Sequence, residues 1–141
     1  MSRTRPPLWF WIVVALLILW GLSGLVGFYM GVSEAARAQM SAYDRSLYEN
    51  APGWYLPVYG VAVWAGLIGS ALLAFRRRVA RLFYIASLVA VLVMFGYTFA
   101  ATDLIAVKGV ATAVTFPIVI ALIGAFEIWL AAHSERHGWI S

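Results

Sequence analysis

The stretch LWFWIVVALLILWGLSGLVGFYM, Leu8 to Met30, contains no charged residue. A helix needs about 20 consecutive apolar residues, each rising about 1.5 Å, to cross the hydrocarbon core of a bilayer. Leu8–Met30 is long enough and reads as a membrane span. Working outward along the chain, Gly53–Phe75, Leu82–Thr102 and Gly109–Ala132 repeat the pattern. The 141 residues are 64% hydrophobic and 11% charged, with a mean hydropathy of +0.88, outside the range of ordinary soluble domains. The expected fold is all-α: a four-transmembrane-helix bundle forming one membrane domain over 1–141.

Charge sets the expected orientation. Arg3 and Arg5 precede the first span, Arg76, Arg77, Arg78 and Arg81 join the second to the third, and Arg136 follows the fourth. Only Arg37, Arg45 and Lys108 fall on the other side. Basic residues accumulate on the cytoplasmic side of membrane proteins, so both termini are expected there (N-in/C-in), in a multi-pass protein of a bacterial inner membrane. The arginine cluster reads as a determinant of topology that meets anionic lipid, and no nucleic-acid partner is expected. Aromatic residues sit where two interfacial belts would lie, Trp9, Trp11 and Trp129 in one and Tyr29, Trp54 and Tyr97 in the other. RTRPP, an apolar run and ARA at 36–38 imitate a secretory signal. The run exceeds the roughly 7–15 residues of a signal's apolar region, so the helix is read as retained.

The connection VSEAARAQMSAYDRSLYENAP, Val32–Pro52, has Ala36, Met40, Tyr43 and Leu47 at helical spacing. An amphipathic helix over about Ser33–Glu49 follows, with Ser33 as N-cap, lying in the first outer loop. The last connection, DLIAVKG, is a tight turn in which Asp103 and Lys108 are expected to pair. Pro117 falls inside the fourth span and is expected to kink it.

Several chemistries are excluded by what the spans lack. There are no cysteines, which removes disulfides, thiolate nucleophiles and the disulfide oxidases that also use four helices. Histidines inside the spans, which b-type haem requires, are missing, and the pair His133 and His137 alone is too few ligands for a metal site. Serines and threonines in the spans have no intramembrane base. No enzyme activity, cofactor or metal is expected.

One ionisable residue remains. Glu127 lies about 27 Å along the fourth span from Gly109 and is a functional candidate, since a charge at such depth is costly. It is expected either to pair with Arg78 or Arg81 or to act as a coupling carboxylate.

Small residues form two stripes. Ser23, Gly24, Gly27 and Gly31 share one face of the first span, with Gly21 pointing elsewhere; Ala62, Gly66, Gly69 and Ser70 share a face of the second. Such stripes let backbones approach closely in lipid. They lie at different depths, so the first is expected to meet the outer end of the third or fourth span, or the same stripe on another copy. The second is expected against Ala86, Ser87 and Ala90, or against Ala121, Gly124 and Ala125.

PGWYLPVYGVAVWAGLIGSALL (Pro52–Leu73), the basic turn after it and the closing HGWIS give most of the chain a resemblance to small bacterial four-helix membrane proteins sometimes labelled "sugar transporter". Sugar sites combine aromatic stacking with several convergent hydroxyl-binding groups, and these spans offer aromatics with few polar partners. Four short spans and one membrane carboxylate are also similar to the small multidrug resistance family, but that family's essential Glu is in the first helix, where this chain has no acidic residue. No internal repeat of the inverted kind is present.

Two functions are therefore set against each other. In the first, the protein is a non-enzymatic accessory or interaction subunit, or a self-assembling scaffold, acting through helix packing with lipid, with copies of itself or within a larger complex. In the second, it is a dimeric small-solute carrier, possible solutes including a sugar or a cation, using Glu127 with Trp54, Tyr55, Tyr59 and Trp64 along the path. The second requires a cavity leading to Glu127; the first is compatible with a dry centre and a paired carboxylate.

Overall fold

The computed structural model describes residues 4–141, so Arg3 of the charge pattern lies outside the described residues. All regular structure among them is helical: α1 (Leu8–Val32), α2 (Glu34–Arg37), α3 (Ala42–Glu49), α4 (Tyr55–Ala74), α5 (Ala80–Ala101), α6 (Leu104–Lys108) and α7 (Val110–Arg136). The four long helices are long and apolar enough to span a membrane. Pro57 sits in the first turn of α4, where a missing N–H costs nothing, and α7 runs continuously through Pro117.

The helices pack in series, α1 on α4, α4 on α5 and α5 on α7. Only at the end carrying the termini do α1 and α7 share a core, built from Phe10, Val14 and Leu17 of α1, Leu73, Ala80 and Tyr84 of the α4–α5 hairpin, and Leu130 and Ala131 of α7. The tail completes that core. Gly138, at φ 73°, ends α7; its N–H donates to the Glu135 carbonyl and that of Trp139 to the Ser134 carbonyl. Those two bonds make a Schellman C-cap, which needs a left-handed residue and so favours glycine. The reversal buries Trp139 and Ile140 against Phe10.

At the opposite end the expected single helix over 33–49 is two short ones. Ser33 caps α2 through its hydroxyl, as expected, but Gln39 and Met40 donate to the carbonyls three residues back and close the helix. Ser41 then caps α3, accepting from the Asp44 N–H. Two serine caps eight residues apart divide what periodicity alone joins. The expected Asp103–Lys108 pair is also absent: Asp103 accepts from the Tyr43 hydroxyl at 2.8 Å, and Lys108 pairs with Asp44 at 2.6 Å. Both bonds tie α3 across the bundle to the α5–α7 connection.

Candidate functional site

The glycines of α1 make room for α4. A Cβ at Gly21 would lie 3.2 Å from the Leu67 Cα, one at Gly24 3.7 Å from Val63, and one at Gly27 3.0 Å from the Tyr59 hydroxyl. Against expectation, Gly24 and Gly27 of the first stripe thus meet neither α5 nor α7 but the large residues of α4. Depth had excluded only the small residues of α4. A groove of glycines is filled by side chains, and Val63 and Tyr59 stand level with it. Gly21, unassigned by periodicity, makes the closest backbone approach of the set. Gly31 receives the ring of Tyr48 from α3, 2.8 Å from an added Cβ.

The second stripe meets α5, as expected, through Ser87 and Ala90, but Ala86 is exposed and the ring of Tyr84 joins in its place. Gly66 faces Ser87, Gly69 faces the Tyr84 ring, and Ser87 Oγ donates to the Ala62 carbonyl at 2.6 Å. Ser70 and Tyr84 share a buried hydroxyl–hydroxyl bond of 2.8 Å. On the far side Gly124 of α7 accommodates Leu88.

Because α1 and α7 flank the series without packing on each other beyond the terminal core, a cavity of about 360 Å³ lies between them. All four long helices line it: Trp20 to Gly27 of α1, Tyr55 to Gly66 of α4, Ser87 to Phe95 of α5 and Phe116 to Glu127 of α7, with Tyr48 of α3 at one end. At 1.5 Å per residue the α4 and α7 walls each extend about 16 Å. The volume is within the range of small-molecule sites, roughly 300–1,000 Å³. Polarity is concentrated at its ends: Tyr48, Tyr55 and Tyr59 on the α3 side, Glu127 on the side of the termini, with Leu88, Val91, Met94 and Ile120 between.

Glu127 is 6% exposed. Neither Arg78 nor Arg81 pairs with it: Arg81 reaches Glu135 at 3.6 Å, and the Arg78 N–H donates to the Ser141 carbonyl. Arg78 precedes α5 and Arg81 lies in its first turn, at the bundle's end, whereas Glu127 is more than two turns inside α7. Of the expected path, Tyr55 and Tyr59 line the cavity. Trp54 and Trp64 do not; they are 42% and 48% exposed, and Trp54 packs edge-on against Tyr97. Glu127 was visible in the sequence as the sole charge within a span. Tyr48, Ser87 and Trp20 were not singled out for this site, because each joins it through a tertiary approach that no spacing encodes. His133 stacks on Trp129 and His137 on Trp139 at the surface of the terminal core, and no group of metal-ligand residues occurs among the described residues.

No protein family, curated protein or solved structure matches the chain.

Proposed function

We propose that this protein is a small-solute carrier in which Glu127 alternately holds a proton and a cationic solute. The observation that supports this reading is a buried carboxylate, without an ion-pair partner among the described residues, on the wall of a cavity bounded by four spans. An isolated carboxylate in an apolar site carries a large desolvation cost when charged. A proton or a bound cation offsets that cost, and competition between them is the elementary step of exchange. The titratable group facing Glu127 from α5 is Tyr84, already bonded to Ser70; the cavity residues of α1 and α4 carry no charge.

One form of the scaffold reading has the glycine stripe free for another copy, whereas Gly24, Gly27 and Gly31 are covered within the chain by Val63, Tyr59 and Tyr48. Together with the cavity that reaches Glu127, this favours the carrier reading. We place both termini in the cytoplasm of a bacterial inner membrane on the charge pattern; a Gln39→Cys variant of this cysteine-free chain should label from outside intact cells with an impermeant maleimide. A working dimer remains part of the proposal. The decisive measurement is proton release from purified protein in weak buffer on adding a panel of organic cations. Release of about one proton per site, lost in Glu127→Gln, is expected; release unchanged in that variant would sink the reading.

A further inference from the structure

The cavity's two rims show how a solute reaches Glu127. Ser23 of α1 and Phe116 of α7 both line the cavity and are both exposed, Phe116 by 62%. They stand on the two helices that flank the series, so the opening between α1 and α7 faces sideways, toward lipid. At the α3 end the cavity is covered. Tyr48 sits on Gly31, and α3 is held across the bundle by Tyr43–Asp103 and Asp44–Lys108. At the other end Phe10, Leu17 and Leu130 close the terminal core.

Wall chemistry then restricts the solute. Among the described residues Glu127 is the one charged residue lining the cavity, and no Lys, Arg or His of them shares the wall. An anion finds no partner there, and the phosphate of a zwitterionic headgroup finds none either. The serine hydroxyls are already committed as donors, Ser23 to the Trp20 carbonyl at 2.7 Å and Ser87 to the Ala62 carbonyl at 2.6 Å. A polyhydroxylated solute would therefore meet few unpaired groups in the inner half. The carboxylate oxygens have acceptor capacity and no donor. Trp20 lies within a turn of Glu127's level, following the register set by Gly21 with Leu67, Gly66 with Ser87 and Leu88 with Gly124, and offers an aromatic face to a cation.

Resting on the carrier reading, we propose that the solute is an amphipathic organic ammonium ion that enters from the bilayer between α1 and α7, donates an N–H to Glu127 and lays its apolar body along Val91, Met94 and Ile120. The free amine and an ethanolamine lipid share this ammonium chemistry; the absent phosphate partner favours the free amine.

Dicyclohexylcarbodiimide, which partitions into lipid, and a water-soluble carbodiimide test the route, because each converts a reachable carboxyl to an N-acylurea detectable by mass spectrometry. In phosphatidylcholine vesicles the lipid-soluble reagent should modify Glu127 and the water-soluble one should not. N,N-dimethyloctylammonium, which keeps an N–H donor and forms no amide with the activated carboxyl, should lower the modification at least five-fold. Octanol and octyl sulfate should leave it unchanged. Equal reaction with the water-soluble reagent would overturn the lateral route. Protection by octyl sulfate as strong as by dimethyloctylammonium would overturn the ammonium assignment, and protection in phosphatidylethanolamine vesicles, with no ethanolamine amide formed on Glu127, in place of dimethyloctylammonium would move the site to a lipid headgroup. A Ser23→Trp variant, narrowing the rim while leaving Glu127 intact, should slow modification several-fold with unchanged circular dichroism; an unchanged rate would also overturn the route. Dimethyloctylammonium protection without proton release would leave this assignment standing and remove the carrier. Proton release triggered only by lipid-insoluble cations would do the reverse.

Discussion

Ser70 and Ser134 are both fully buried, yet their hydroxyls are in opposite situations. Ser70 Oγ bonds Tyr84 Oη at 2.8 Å and reaches the Gly66 carbonyl at 3.1 Å, whereas Ser134 Oγ has no partner among the described residues. Removing one member of a buried pair strands the other at a cost of about 1–3 kcal/mol, while deleting an unpaired hydroxyl removes a cost. Ser70→Ala should therefore destabilise the protein by about 1–3 kcal/mol, and Ser134→Ala should be neutral or stabilising by up to about 1 kcal/mol. Reversible unfolding in mixed micelles measures both. Equal losses would mean that Ser134 has a partner the structure does not display. This contrast was not legible in the sequence, where both are small polar residues in apolar helices. Glu127 was legible, because a lone charge in a span stands out whatever surrounds it. The lack of a partner for it was not, since which of Arg78, Arg81 and Glu135 meet depends on how far α5 and α7 slide past each other.

The elements show a similar division. The four spans were legible with their ends correct to within a few residues, because length and apolarity are local properties. Partners were legible only where small faces small. Gly66 and Ser87 were anticipated; Gly24 against Val63 and Gly27 against Tyr59 were not, because a groove receives a bulky side chain rather than another groove. The same rule docks α3, whose Tyr48 ring fills the space over Gly31. There the Tyr43 hydroxyl is pushed up to about 12 by loss of hydration, by its bond to Asp103 and by the charges of Asp103 and Asp44. With the folded value raised above the ordinary phenol value near 10, the docked α3 favours neutral Tyr43. Its contribution is complete below about pH 10 and disappears as pH rises through about 12. The difference between absorbance titrations of the wild type and Tyr43→Phe should contain one phenol ionising near 12; ionisation near 10 would show α3 undocked. The Asp44–Lys108 bridge is partly exposed and adds under about 1 kcal/mol, so Lys108→Gln alone should leave that titration unchanged.

At the scale of the whole molecule the terminal end is fastened by one residue of the basic turn. Arg76 has φ 60°, a left-handed conformation that costs an ordinary residue about 1–2 kcal/mol. From it the guanidinium donates to the Trp139 carbonyl at 2.7 Å and the Thr4 carbonyl at 2.8 Å, and the Arg76 carbonyl accepts from the Ser141 N–H. The charge pattern assigns Arg76 to orientation and to contact with anionic lipid, and the fold adds a further task. It joins the N-terminal segment, the α4–α5 turn and the tail, the three pieces that close the core between α1 and α7. Hydrogen bonds from a charged donor contribute about 1.5–3 kcal/mol each, enough to offset the strain. Arg76→Ala removes both side-chain bonds and keeps the unfavourable backbone, whereas Arg76→Gly removes the same bonds and relieves it. Both variants should be less stable than the parent, with Arg76→Gly retaining about 1–2 kcal/mol more than Arg76→Ala. Thermal unfolding of the three proteins in one detergent decides it. Were Arg76→Ala as stable as the parent, the guanidinium would not be the fastening, and the terminal core would close on the packing of Phe10, Trp139 and Ile140 with the backbone bonds from Thr4 to Gly138 and from Arg78 to Ser141.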